Sequence, residues 1–291
     1  MKYALFLGCT IPARARNYEV SARGVASRLG IEFVDIKDFV CCGFPMRGID
    51  RRSAWLMGAY NLALVEEKGL DICTLCSSCT SALTEVVHSM GSSHAEEHAD
   101  MLTSLQKMGF QYSGRVKVRH IARILFEEIG KEKIKKTLEK DLSGLKVAVH
   151  YGCHYFKPSE VYDGFDDPEV PYTIEELVRH TGAEVVDYPG KKRCCGGPVL
   201  PVEEKVALTL AKQKLDDIKE AGADLICLVC PFCALMYDGN QKGIEAEFQE
   251  TYNLPVLYLT QLLGIAMGID RKSLGLNLNV VKTKKLLERF Y

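Results

Sequence analysis

The cysteines of this chain form two matching sets, and any fold it adopts must accommodate both. The first set is Cys9, the adjacent pair Cys41 and Cys42, then Cys73, Cys76 and Cys79; the second is Cys153, the pair Cys194 and Cys195, then Cys227, Cys230 and Cys233. All 12 cysteines belong to this repeat. The adjacent pairs stand in "CCGFP" and "CCGGP", each followed by a glycine, Gly43 or Gly196, and by a proline, Pro45 or Pro198. The copies lie 144 residues apart at Cys9 and Cys153 and 153 to 154 apart at every later cysteine, so nine residues are inserted between Cys153 and Cys194. The insertion falls in "FKPSEVYDGFDDPEVPY", whose acids and prolines read as a surface loop. A period this long exceeds solenoid modules and matches two duplicated domains, and 291 residues suffice for two cores.

The pattern within each half alternates. "YALFLGC" and "LKVAVHYGC" are short apolar runs that end in a cysteine and read as strands. "EVSARGVASRLG" and "IEELVRHTG" follow as helices closing on Gly30 and Gly182. "IEFVDI" and "AEVVDY" are strands leading into the two CCG turns. "RRSAWLMGAYNLALVEEKG" and "VEEKVALTLAKQKLDDIKEAG" are helices, and "LDICTLC" and "ADLICLVC" are strands ending on C-x-x-C. This order predicts an α/β fold: two tandem β-α-β, Rossmann-like domains related by a pseudo-two-fold axis, with parallel sheets. Sites in such sheets lie at the carboxyl ends of the strands, where all three cysteine motifs of each half fall. The expected domains are residues 1–143, with a helical extension over about 91–143, and residues 144–291. In that extension Val118, Ile121, Leu125 and Ile129 are spaced for one helix, and "KEKIKKTLEKDLSG" reads as a solvated helix.

Composition narrows the function. With 47% hydrophobic and 26% charged residues and a formal net charge of -1, the chain has no bulk attraction for nucleic acid or acidic lipid. Its start has no signal-peptide pattern, and its most apolar stretch, "LPVLYLTQLLGIAMGI", is shorter than the roughly 20 residues of a membrane span. The expectation is a cytoplasmic protein without direct membrane insertion. In that compartment cysteines serve metals or redox chemistry rather than structural disulfides, and a bridge within a vicinal pair is strained.

Thiolates are soft ligands for zinc or for iron and sulfide. Leaving aside Cys73 and Cys227, which the strand pattern turns toward the core, each half offers five cysteines at three strand ends. A tetrahedral zinc leaves one thiolate over; an iron-sulfur cluster is larger and accepts ligands from several loops. Both sulfurs of a vicinal pair reach one group only where the backbone turns sharply, which Gly43 and Gly196 permit and Pro45 and Pro198 fix. A competing signal, "HAEEH" at His94–His98, matches an H-x-x-E-H zinc pattern, but Ser93 with Glu96 also makes a helix capping box. No dinucleotide or P-loop motif occurs, so any flavin belongs to a partner.

The spacing of single cysteine, CCG and C-x-x-C, given twice over nearly the whole chain, resembles the CCG-domain (cysteine-rich domain) family, and among its members the B subunits of methanogen heterodisulfide reductases. The resemblance implies a noncubane [4Fe-4S] cluster in each half. Its ligands would be Cys9, Cys41, Cys42, Cys76 and Cys79, then Cys153, Cys194, Cys195, Cys230 and Cys233. Cys9, Cys41, Cys42, Cys153, Cys194 and Cys195 would also be the catalytic set. The reaction implied is reduction of the coenzyme M–coenzyme B mixed disulfide to two thiols, the duplication supplying one site for each sulfur. Electrons would pass from a flavin-containing A subunit through an iron-sulfur C subunit, with a hydrogenase or another donor behind them, because this chain has no ferredoxin-type C-x₂-C-x₂-C-x₃-C-P run. The coenzymes carry a sulfonate and a phosphate, so cations are expected beside the clusters. Candidates are Arg14, Arg16 and Arg47 in the first half and His154, Lys157, Lys191, Lys192 and Arg193 in the second, with the "KKR" run foremost. Within the same family the alternative is an electron-transfer subunit of a glycolate or lactate oxidase or a fumarate reductase. Outside it, the alternative is a non-enzymatic zinc scaffold.

Overall fold

The computed structural model describes residues 1–90 and 99–291, together with the helical backbone of 95–98. The H-x-x-E-H stretch at His94–His98 and the capping box at Ser93 lie outside the described side chains.

Two four-stranded sheets carry the chain, and every strand pairing in them is parallel. The first contains β1 (Lys2–Phe6), β2 (Glu32–Val34), β3 (Asp71–Thr74) and β4 (Val118–His120) in the order β2-β1-β3-β4. The second repeats it with β5 (Lys146–His150), β6 (Glu184–Val186), β7 (Leu225–Leu228) and β8 (Val256–Tyr258) in the order β6-β5-β7-β8. Parallel strands need helical crossovers that cover both faces, so the central strands are apolar along their length. β7 is buried throughout, and β1 and β5 are exposed only at Lys2 and Lys146. This is the α/β architecture expected from the sequence.

β4 departs from the helical reading of its segment. Val118–His120 pairs with β3 in the register Ile72 to Val118 and Thr74 to His120, and only at Ile121 does the chain turn helical. Its counterpart in the second half is the stretch that was too short for a membrane span. "VLY" becomes β8, and Leu259–Ala266 becomes a helix with every residue buried. Among the described residues no helix is long and apolar enough to cross a membrane.

The halves are joined by reciprocal contacts. The helix Arg16–Leu29 of the first half packs along Leu259–Ala266 of the second, and Thr173–Arg179 of the second packs on the helical segment after β4 of the first. Tyr18 stacks on Tyr258 with ring centroids 4.0 Å apart and donates to Val229 O at 3.1 Å. Ser21 and Thr260 hydroxyls lie 2.7 Å apart. The inserted loop also joins the halves: its acids Asp163 and Asp167 stay in solvent, but Tyr162 and Phe165 are buried. Arg123 of the first half stacks its guanidinium 4.5 Å from the Phe165 ring and donates to Tyr162 O. Read as a surface loop from its charges, the insertion is a clasp held by its aromatic residues.

Candidate metal centre

The cysteine motifs reach the carboxyl edges of their sheets by the same local devices in both halves. Each C-x-x-C spans a strand end and a helix start. Cys76 caps Ser77–Ser89 with extended backbone, and Cys230 likewise caps Pro231–Ala234, which puts Cys79 and Cys233 in the first helical turn. Unpaired N–H groups at a helix start favour thiolates there. In each CCG turn the glycine takes a left-handed conformation, φ 85° at Gly43 and 83° at Gly196, and a short 3₁₀ turn with Pro45 or Pro198 in its first positions follows. No other residue fits either place: a Cβ would lie 2.3 Å from Ala54 O at Gly43 and 2.6 Å from Ala207 O at Gly196. The turn aims backbone N–H groups at the sulfurs. Gly196 N–H and Gly197 N–H donate to Cys194 and Cys195 at 3.4 Å each, and Gly43 and Phe44 N–H groups donate to Cys41 and Cys42.

The thiols form one continuous line. Cys41 neighbours Cys42, Cys42 neighbours Cys79, and Cys79 neighbours Cys76, each near enough to shift the other's protonation. Cys76 then meets Cys230 across the boundary between the halves. From there the order reverses: Cys230 to Cys233, Cys233 to Cys195, Cys195 to Cys194, and Cys194 to Cys153. Cys9 stands near Cys41 at the exposed end, its sulfur 3.8 Å from Thr10 Oγ1. Within this line the protonation of each thiol is set first by its sulfur neighbour, with burial opposing charge and the turn N–H groups favouring it. Cys73 and Cys227 stand apart, buried inside β3 and β7, where desolvation pushes both thiols up.

Each site is walled by both halves. Thr10–Arg14, which follows Cys9, packs on Pro231–Ala234, and Cys153–Tyr155 packs on Ser77–Ser89. Gly8 and Gly152 keep the space in front of the thiols open: a Cβ at Gly8 would lie 2.8 Å from Cys79 Sγ, and one at Gly152 3.5 Å from Cys233 Sγ.

The residues fit a sulfur-ligated cluster. Soft donors line both cradles, glycines hold them open, and Tyr237 Oη and Ser77 Oγ are buried beside the thiols without a hydrogen-bond partner. Among the described residues no three Cys, His, Asp or Glu side chains are grouped to hold a single metal ion.

The expected cations fall in different surroundings. Lys191 is paired with Glu175 at 2.6 Å and Asp187 at 2.7 Å, Lys192 with Glu169 at 2.6 Å, and Arg193 with Asp217 at 3.3 Å. The "KKR" run is therefore already matched by carboxylates, along a cavity of about 600 Å³. Arg14, Arg16 and Lys157 are exposed. Arg47 and His154 instead share a cavity of about 540 Å³ at the junction of the halves, lined also by Phe44, Arg51, Trp55 and Glu85. Arg47 bonds Glu85 at 2.8 Å, and His154 packs edge-on against Phe44 at 4.7 Å. Its buried Nδ1 has no partner, and burial, with Arg47 nearby, holds the imidazole below its usual range.

Three residues beside the second cradle were missed in the sequence. Lys214 is completely buried; its Nζ donates to Lys191 O at 2.9 Å, Arg193 O at 2.8 Å and His150 Nδ1 at 3.2 Å. An ammonium has no acceptor, so His150 carries its proton on Nε2, which lies 3.1 Å from Cys233 Sγ. Burial pulls the Lys214 ammonium down to about 8, and nearby Cys233, Cys195 and Cys194 oppose that. The third residue is Tyr237, whose ring lies edge-on to His150 at 5.0 Å.

Comparison with known proteins agrees with this geometry. The model of the CCG cysteine-rich domain matches residues 3–84 and 147–238, one copy in each half. The chain is 35% identical to the B subunit of the ferredoxin/F420H2-dependent CoB-CoM heterodisulfide reductase of Methanosarcina acetivorans, covering 100% of this chain and 97% of that one. It is 38% identical to an Archaeoglobus profundus protein described as like the heterodisulfide reductase B subunit, over 93% of this chain and 92% of that one. It is 31% identical to the membrane anchor subunit of the 8-methylmenaquinol:fumarate reductase of Wolinella succinogenes, over 98% and 99%. A crystal structure of a hypothetical protein from Helicobacter pylori shares the fold, with a TM-score of 0.78 at 15% identity, over 97% of this chain and 52% of that one. Duplicated motif, paired parallel sheets and sequence likeness over the whole length agree: the chain belongs to the CCG cysteine-rich domain family.

Proposed function

We propose that this protein is the disulfide-reducing subunit of a heterodisulfide reductase, with residues 1–143 and 144–291 each holding one noncubane [4Fe-4S] cluster through five cysteines. The observation that carries this reading is the mirrored line of thiols meeting at Cys76 and Cys230, which sets two like sites face to face. Likeness over full length to the heterodisulfide reductase B subunit of Methanosarcina acetivorans supports it. When bound, the clusters supply single electrons and iron open to sulfur. The chain's own residues do the rest. The two CCG turns hold paired thiols with N–H groups, and the cavity of Arg47 and His154 receives an anionic end of the substrate. Two electrons and two protons convert one disulfide, the coenzyme M–coenzyme B mixed disulfide, into two thiols. The electrons come from a separate iron-sulfur subunit, itself supplied by a flavin-containing one.

A second reading, an electron-transfer subunit of a quinol-linked fumarate reductase complex, is favoured by the 31% identity to the Wolinella succinogenes protein. Iron and sulfide analysis of anaerobically purified protein, followed by disulfide cleavage with a reduced viologen dye, separates the two. Clusters with cleavage support the first reading; clusters without cleavage support the second. One zinc per half in place of iron and sulfide would overturn both.

A further inference from the structure

Equivalent positions in the two halves allow the cradles to be compared residue by residue. His150, the last residue of β5, corresponds to Phe6, the last of β1. Lys214, in the helix after the second CCG turn, corresponds to Asn61, since Ala207 and Ala54 fill the same place against Gly196 and Gly43. Tyr237, four residues beyond Cys233, corresponds to Leu83, four beyond Cys79.

The substitutions run one way. Asn61 braces the first CCG turn by donating to Val40 O and Cys41 O at 3.3 and 3.2 Å, as Lys214 braces the second, but without a charge. Phe6 packs edge-on against Phe39 at 4.9 Å, where His150 offers an N–H to Cys233. Leu83 offers nothing polar, where Tyr237 keeps a buried hydroxyl without a partner. Ser77 lies at the boundary, near Gly152 of the second half. The neighbouring cations Arg47, Lys191 and Arg193 are each matched by a carboxylate, whereas Lys214 bonds only to carbonyls and an imidazole.

Hydrogen bonds to cluster sulfurs and a positive charge in low dielectric stabilise the more negative, reduced state. We infer that the two cradles are unequal, and that Lys214, His150 and Tyr237 make the second-half cluster the more easily reduced of the pair. The inference rests on the cluster reading above. These three are positioning residues: the electron comes from an external donor, and none of the three is consumed.

The test is a reductive titration of the iron-loaded protein with dithionite, followed by EPR and visible absorbance. Two one-electron steps at least 59 mV apart are expected, a tenfold difference in reduced-to-oxidised ratio at a fixed ambient potential. Lys214→Met and His150→Phe should lower the higher potential and leave the lower one in place, with iron content unchanged. Tyr237→Phe removes a single hydroxyl and keeps the test decisive if either of those variants does not fold. A single potential in the iron-loaded wild type would overturn the inference, as would loaded variants that shift the lower step or neither. Protein purified without iron would instead overturn the cluster reading and this inference with it.

Discussion

Cys76 and Cys230, 154 residues apart in the chain, face each other across the boundary between the halves and influence each other's protonation. Each stands at a helix start with extended backbone, which sets the direction of its Cα–Cβ bond toward the boundary. Cys42→Ser or Cys76→Ser should cost the protein about half its iron and sulfide, and Cys195→Ser or Cys230→Ser the other half. Turnover should be lost in all four, because one disulfide needs both sites. Colorimetric iron analysis with the viologen-linked assay checks this, and full activity in any one variant would sink the two-site reading.

Gly43→Ala and Gly196→Ala should each destabilise the protein by more than the ~1–3 kcal/mol of a strained left-handed residue. The added methyl also meets a helix carbonyl at 2.3 or 2.6 Å. Denaturant titration measures that loss. Gly8→Ala combines two effects: Gly8 is itself left-handed, φ 63°, so stability should fall by the ~1–3 kcal/mol of such a residue, and its methyl meets the Cys79 sulfur at 2.8 Å, so iron in the first site should fall as well.

Much of this site could be read in the sequence, for a physical reason: strand ends marked by cysteines, and turns marked by glycine and proline, leave local signals. β4 left none, because a strand of three residues is too short for alternation to register. The helical spacing of Ile121, Leu125 and Ile129 ran on through Val118 and masked it. Lys214 was hidden by its setting, one of several lysines in a helix rich in charged residues, although its own side chain is buried. The signal that finds it is the comparison of the copies position by position, where Asn61 faces Lys214 and Phe6 faces His150.

Arg47→Met should raise the KM for an anionic disulfide by about 10- to 100-fold, matching the 1.5–3 kcal/mol of a charge-assisted hydrogen bond. The effect on kcat should be much smaller, since the contact is made equally in ground and transition states. The same change at Lys192, which lies outside that cavity, should move KM little. Steady-state kinetics of the two variants side by side tests the assignment of the cavity.

His120 gives the fold an acid-sensitive element. It is buried, its Nδ1 accepts from Ala122 N at 3.1 Å, and its Nε2 donates to Val229 O at 3.0 Å, so it is neutral. Burial lowers it from 6.5 to about 4. Above pH 6.5 neither the folded nor the unfolded chain protonates it, and its contribution is fully present. As pH falls from 6.5 toward 4 the unfolded chain takes a proton that the folded one refuses, and about 3 kcal/mol is lost. Denaturant midpoints at pH 7.5 and 5 should differ less in His120→Gln than in the wild type, and equal differences would show that another group is responsible.

The reciprocal packing of Thr10–Arg14 on Pro231–Ala234, and of Cys153–Tyr155 on Ser77–Ser89, separates the unit of inheritance from the unit of construction. The gene repeats by halves, but neither half can close a cradle alone, since one wall of each is borrowed from the other. A chain divided between its two copies would yield two fragments with a complete set of cysteines each and a finished site in neither.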